Sequence, residues 1–293
     1  MTRRSGTLRA EDLEPLAVFL GHGPSVGAPS AVDAVPPCWH WCLLLDPVDP
    51  SRLDDDGYPI GGPITPEPGM TRMFAGGRVT CTASLELDSP TSRRTRVART
   101  TDKVGRHGPL RFVTLESVWA QDGRTRLVDE QDYVFTPTAH PSDTATSSST
   151  APSSSTPPSS STAPSSSTAR SAAASPQTGR DPSTTLAEGR ILVTEPMLVA
   201  FSGLTANPYR IHWDKDFCAR SGHNGLVVHG PLQALWLAEE FTRRGEPFTG
   251  RTFSYRFTAT ATAPTVMTLD DGEDGALLVR RPDGTITATA TLG

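Results

Sequence analysis

The chain has 293 residues, a formal net charge of −5 and a hydrophobic fraction of 36%. That length allows two modest domains, and the scattered Lys and Arg residues form neither a nucleic-acid surface nor an anionic-membrane patch. No stretch approaches the roughly 20 apolar residues of a membrane span, and the arginines of Met1–Ala10 precede no apolar run of the secretory kind, so a cytoplasmic location is expected.

The opening segment is Pro-rich and reads as mostly irregular, with a short helix over Leu13–Leu20. Cys38-Trp-His-Trp-Cys42 has two thiols flanking a histidine. A zinc site needs about four ligands at suitable spacing, no second pair lies nearby, and the tryptophans suit packing, so the four cysteines of the chain read as free thiols. Strand-like runs follow over 78–87, 94–103, 110–120 and 126–135, with Asp122-Gly123 as a hairpin turn. From Ser147 to Arg170 a Ser/Thr/Pro/Ala hexad recurs four times. Such a segment has almost no apolar surface with which to offset its ordering entropy, so residues 137–185 are expected to be a flexible linker between a unit over 1–136 and one over 186–293.

The second unit reads as strand, loop, helix, then strands. Gly230-Pro231 opens a helix with apolar residues at helical spacing, and Gly245 ends it. Strands are expected over 252–262, 265–269, 276–281 and 285–292, with Asp283-Gly284 as a turn. One long helix with several antiparallel strands implies an α+β layer in which sheet wraps helix.

The chemistry concentrates in Phe201-Ser-Gly-Leu-Thr-Ala-Asn-Pro-Tyr-Arg-Ile-His-Trp-Asp214 and Gly225-Leu-Val-Val-His-Gly-Pro-Leu-Gln233. A neutral imidazole, His212, can take or give a proton near pH 7. Asn207 can hold a water but cannot act as a base. The free N–H groups at the start of the Gly230 helix can receive a developing oxyanion. Together these fit addition of water to an α,β-unsaturated carbonyl. Each also has an ordinary reading: a loop histidine is usually structural, Asn-Pro is a common turn, and His229 can simply cap or pack.

The stretch resembles the MaoC-like (R)-specific enoyl thioester hydratases, whose motif is Asp-x-Asn-Pro-x-His followed by a Val-His-Gly helix start. Asn207 and His212 keep the motif's spacing, and Val228-His229-Gly230 is present. Asn207 in place of Asp, and Tyr209-Arg210 in place of Asn-Pro, resemble the hydroxyacyl-thioester dehydratase type 2 branch, which includes mesaconyl-CoA and itaconyl-CoA hydratase-like proteins. Asp56-Gly-Tyr-Pro-Ile-Gly-Gly-Pro63, Arg72-Met-Phe-Ala-Gly-Gly-Arg78, Lys103–Val113 and Glu130-Gln-Asp132 resemble the N-terminal hallmarks of that branch. The long linker, Ala206 and the Thr-rich run Thr258–Thr262 depart from it.

The resemblance implies an α+β double hot-dog, two antiparallel sheets each wrapped around a central helix, with the C-terminal half catalytic. It implies a hydro-lyase interconverting enoyl and (R)-3-hydroxyacyl thioesters, with Asn207, His212 and Gly230 catalytic and Arg72, Arg78, Lys103, Arg106, Arg210 and His229 as substrate contacts. No metal or other cofactor is expected. The expected partners are a CoA or acyl carrier protein thioester and a second copy of the chain in a homodimer. A hot-dog thioesterase and a non-catalytic acyl-thioester binding subunit remain as alternatives.

Overall fold

The computed structural model describes residues 1–22, 34–105, 108–138 and 189–293. The expected linker therefore lies outside the described residues, apart from its first two. Pro137 is the last residue of a strand, opposite Met70.

The irregular opening expected from the Pro-rich composition is instead strand β1 (Thr2–Thr7), which pairs antiparallel with β3 (Pro90–Gly105). Helix α1 spans Ala10–Leu20. Asp12 accepts the Arg9 N–H at its start, and Gly21, at φ 83°, closes its end, a left-handed cap that glycine adopts at little cost. β2 (Met70–Cys81), β3, β4 (Gly108–Gln121) and β5 (Arg124–Pro137) are longer than the runs expected for them, except that β2 stops at Cys81. There Thr82 and Ala83 turn aside to bond the Arg126 carbonyl. Asp122 and Gly123 both have positive φ, as a two-residue hairpin turn between right-twisted strands requires.

In the second unit β6 (Arg190–Val193) leads into two helices where only a loop was expected, α2 (Glu195–Leu204) and α3 (Lys215–Arg220). The start of α2 is ordinary: the Thr194 hydroxyl accepts the Met197 N–H, and Pro196 sits in the first turn. β7 (Leu226–Val227) then precedes α4 (Gly230–Arg243), which is buried on almost every side. β8 (Arg251–Phe257) is shorter than expected; the Thr-rich run leaves it and forms β9 (Thr262–Ala263), which pairs with β7. β10 (Thr265–Asp271), β11 (Leu277–Arg280) and β12 (Ile286–Leu292) complete the chain.

Among the described residues ten strands make one antiparallel sheet in the order β1-β3-β4-β5-β2-β8-β12-β11-β10-β6. The C-terminal strands wrap α4, burying Leu232, Leu235 and Leu237 against Phe253, Ala288 and Ala290. The two halves meet where β2 pairs with β8, with Gly76 opposite Arg256 and Gly77 opposite Tyr255. Added Cβ atoms at these glycines would collide with the Tyr255 and Glu130 carbonyl oxygens, so the Gly-Gly pair sets how closely the strands approach. The largest buried cluster runs across this seam, from Leu13, Leu16 and Trp39 through Val79 and Trp119 to Phe253 and α4. The tryptophans beside Cys38 and Cys42 do pack and bond: Trp39 Nε1 donates to Glu239 on α4 at 2.6 Å, and Trp41 Nε1 to Asp129 at 3.1 Å.

Candidate active site

Helix α2 ends in a Schellman motif. The Ala206 N–H bonds the Gly203 carbonyl and the Asn207 N–H bonds the Ser202 carbonyl, with Ala206 at φ 48°. Glycine usually fills this left-handed position. Alanine accepts a strain on the order of 1–2 kcal/mol, and the chain leaves the helix sharply into the loop that bears Asn207 and His212.

The loop is then locked from several sides. The Asn207 side-chain oxygen accepts the Tyr209 N–H at 3.3 Å, and Trp213 Nε1 donates to the Pro208 carbonyl at 2.9 Å. Asp214 caps α3 by accepting the Phe217 N–H, and its other oxygen accepts from Arg210 Nη2 at 2.6 Å. Arg210 Nη1 donates to the Asp55 carbonyl. The Arg210 guanidinium, expected to touch substrate, is thus committed to holding the loop.

His212 ends a single 3-10 turn, Arg210–His212, and is buried. Its Nδ1 lies 2.8 Å from the Val227 carbonyl oxygen on β7. A carbonyl can only accept, so Nδ1 carries the proton and Nε2 keeps its lone pair. Burial pushes the His212 pKa down to about 4, partly offset by the Val227 hydrogen bond and aided by the charge of Arg72. The group is therefore a neutral base at pH 7.

His229 lies flat on His212, ring centroids 3.5 Å apart and planes 16° from parallel. Its Nε2 is 2.9 Å from the Ser202 hydroxyl, and its Nδ1 is buried without a partner. Burial, then the neighbouring His212, hold its pKa well below the ordinary value. Ser202 was not among the sequence candidates, because the helix that carries it reads as loop and nothing in its spacing connects it with His229.

His229 is also the residue before α4, and no side chain caps that helix. The Gly230 N–H is free of intrahelical partners by geometry, and Pro231 has none to offer. A Cβ at Gly230 would come within 2.8 Å of the Phe257 ring, so only glycine leaves the helix start open there.

The N-terminal half reaches the same place. The Asp56 carbonyl accepts the Arg210 N–H at 3.0 Å. Gly57, at φ 92°, lies so close to the Pro208 carbonyl that no Cβ fits. Tyr58 stacks on Tyr209 with centroids 4.2 Å apart, and Tyr209 meets His212 edge-on at 5.9 Å. Arg72 covers the other end of this row, its guanidinium carbon 4.0 Å from the Tyr58 ring centroid.

Of the other basic candidates, Arg78 and Lys103 are not brought to His212. A bulge between Phe74 and Gly76 reverses the alternation of β2, so Arg72 and Phe74 share the inner face with Val79, while Arg78 points to the outer one. There Arg78 pairs with Glu130 at 2.7 Å and Asp132 at 3.2 Å. With Lys103, Arg99 and Arg256 it lines a groove of about 570 Å³. Arg106 lies outside the described residues. Among the described residues no three His, Cys, Asp or Glu side chains could hold a metal ion.

The family model for hydroxyacyl-thioester dehydratase type 2 matches residues 38–263. The mesaconyl-C(4)-CoA hydratase of Chloroflexus aurantiacus is 31% identical over 274 residues, covering 92% of this chain and 87% of its own. In fold the chain is similar to HtdX of Mycobacterium tuberculosis, with a TM-score of 0.61 at 14% identity over 99% of both chains. It is also similar to a MaoC-like dehydratase of Phytophthora capsici, at 0.59 and 12% identity over 100% of this chain and 95% of that one. These neighbours are hot-dog proteins, and the fold here is the α+β double hot-dog. With one family model spanning both the loop of Tyr58 and the start of α4, the chain belongs to the hydroxyacyl-thioester dehydratase type 2 family.

Proposed function

We propose that this hydro-lyase adds water to the double bond of an enoyl-CoA, and removes it in reverse, with His212 as the single proton carrier. The observation that carries the assignment of His212 is its fixed tautomer: Nδ1–H is held by the Val227 carbonyl, so the Nε2 lone pair is permanently presented. Nε2 takes a proton from water as the oxygen bonds to C3. Charge passes to the thioester oxygen, where the open start of α4 and its Gly230 N–H supply a donor and a favourable dipole. The same Nε2–H then returns its proton to C2, so hydrogen and hydroxyl arrive on one face.

Asn207 holds the water through its amide N–H groups, since its oxygen is already engaged by the Tyr209 N–H. His229 lies beneath His212 and fixes the plane of its ring, itself anchored by Ser202. The (R) configuration at C3 belongs to the same reading and is supported by the motif's resemblance, and a homodimeric state and a cytoplasmic location are proposed with it.

The test is loss of enoyl absorbance with crotonyl-CoA. His212→Ala is expected to lower the rate by about a hundredfold or more while far-UV circular dichroism is retained, the usual scale for a general acid–base group. A folded variant with near-native turnover removes His212 from the mechanism. Release of free thiol at the same rate as the absorbance loss would mean thioester hydrolysis instead.

A further inference from the structure

Helix α4 buries one carboxylate and one carboxamide, those of Glu240 and Gln233. Glu240 lies near the C-terminal end, where its oxygens accept from Arg243 and Arg244. Gln233 lies one turn from the start and is 2% exposed. Its side-chain oxygen is 2.6 Å from the hydroxyl of Thr287 on β12, itself wholly buried. That is the length of an O–H···O bond, so the hydroxyl donates and the carboxamide turns its NH2 group away from Thr287. Among the described residues that nitrogen donates to nothing, yet unlike His229 Nδ1 it is not sealed from solvent.

A nearly buried amide donor without an acceptor is costly, unless a ligand brings one. The helix says which part of the ligand. Gln233 is three residues from Gly230 and four from His229, whose carbonyl accepts the Gln233 backbone N–H. Residues three and four apart share a helix face, and helical side chains lean back over the preceding turn. The Gln233 amide thus leans toward the open start of α4, beside the His229 ring that stacks on His212. That start is short of donors. A thioester oxygen has two lone pairs to satisfy. The Gly230 N–H serves one, and its neighbour Pro231 has no N–H to give.

We propose that Gln233 is a further catalytic residue, whose amide nitrogen donates a second hydrogen bond to the thioester oxygen beside the Gly230 N–H, and that Thr287 is the residue that positions it. This rests on the hydratase reading above. As water bonds to C3, negative charge gathers on the thioester oxygen, and two donors already in place stabilise it without reorganising. Thr287 supplies that preorganisation by holding the carboxamide oxygen. An amide suits the position because it donates without bringing charge. A carboxylate there would set like charge against the developing oxyanion.

Three variants of the full chain test this. Gln233→Leu keeps the bulk and frees the Thr287 hydroxyl for the Val279 carbonyl, 3.2 Å away. Gln233→Glu keeps the shape but accepts rather than donates at neutral pH. Thr287→Val removes only the hydroxyl. With crotonyl-CoA, Gln233→Leu should lower kcat about tenfold or more and leave KM within about twofold, the signature of a contact made in the transition state. Gln233→Glu should lose at least as much, and Thr287→Val less. A second readout needs no turnover. Butyryl-CoA, isotopically labelled at the thioester carbonyl, has no double bond to hydrate. Its carbonyl stretch in difference infrared spectra should move to lower wavenumber on the wild type, and Gln233→Leu should give back part of that shift.

A Gln233→Leu variant with near-native kcat, or with the wild-type carbonyl band, overturns the proposal. So does a loss confined to KM, since Gln233 would then only line the acyl pocket. If far-UV circular dichroism shows that Gln233→Leu does not fold, the other two variants decide, and native kcat with an unchanged band in both overturns the proposal. Failure of the hydratase reading looks different. In that case no enoyl thioester is hydrated, while a Gln233-dependent shift of the butyryl-CoA carbonyl band persists and upholds the second donor.

Discussion

His212 and His229 are two imidazoles stacked in a buried place, and their burial has a sign that can be checked. A histidine protonated in water near pH 6.5 resists protonation here until about pH 4. The rate of hydration should hold steady from neutral pH down to about pH 5 and fall in one step near pH 4; a step centred near 6.5 would mean that the ring is solvated. Stability follows from the same shift. Between about pH 6.5 and 4 the unfolded chain binds a proton at this position and the folded chain does not, so stability is lost as pH falls through that window. His212 alone contributes up to about 3 kcal/mol to that loss, and a His212→Gln variant should show a correspondingly flatter dependence of melting temperature on pH. Asn207 and His212 were expected as a pair from the family motif they resemble. Ser202 was not, because its contact with His229 joins residues 27 apart. Nor was the difference between Arg72 and Arg78. Six residues apart in a regular strand they would share a face, and the bulge at Ala75 separates them.

At the scale of elements, the loop that bears Asn207 and His212 is held both by its own hydrogen bonds and by the segment Asp54–Tyr58 pressed against it. The Asp54 carboxylate accepts the N–H groups of Asp56 and Tyr58, which presents the Asp55 and Asp56 carbonyls to Arg210. Gly57 makes the approach feasible. Gly57→Ala adds a methyl group against the Pro208 carbonyl at a φ that L-residues rarely adopt. The variant is expected to lose about tenfold or more in kcat, because a misplacement of an ångström at a catalytic group is costly. Far-UV circular dichroism and the enoyl-CoA assay together check this, and native kcat would show that the loop holds its shape unaided. Helix α4 and the strands around it were readable from periodicity, Pro231 and Gly245. Helices α2 and α3 were not, since Ser202-Gly203 and the short Lys215–Arg220 run carry weak helical signals.

For the whole molecule, the sequence divides into two units, yet the main buried cluster is shared. Leu13, Leu16 and Trp39 from one side pack in the same cluster as Leu232, Leu235 and Phe253 from the other, and β2 pairs with β8 along six residues. We propose that the halves unfold as one. Denaturation followed by tryptophan fluorescence and by far-UV circular dichroism should give one coincident transition. Two separated transitions would show that each half is stable without its partner.

Composition and turn chemistry determined a great deal about this protein without coordinates: its α+β character, the hairpins and the buried helix after Gly230, while resemblance to a family motif marked it as a hydratase. These are local in sequence, and local preferences and short spacings are written directly in the order of residues. What only the tertiary structure decided was long-range. The Val227 carbonyl fixes the tautomer of His212, Tyr58 and Arg72 reach across from the other half toward the loop of His212, and Arg210 grips Asp55 and Asp214. Those contacts depend on which strands pair, where β2 bulges, and how closely glycines let backbones approach, and none of these is a property of a single segment.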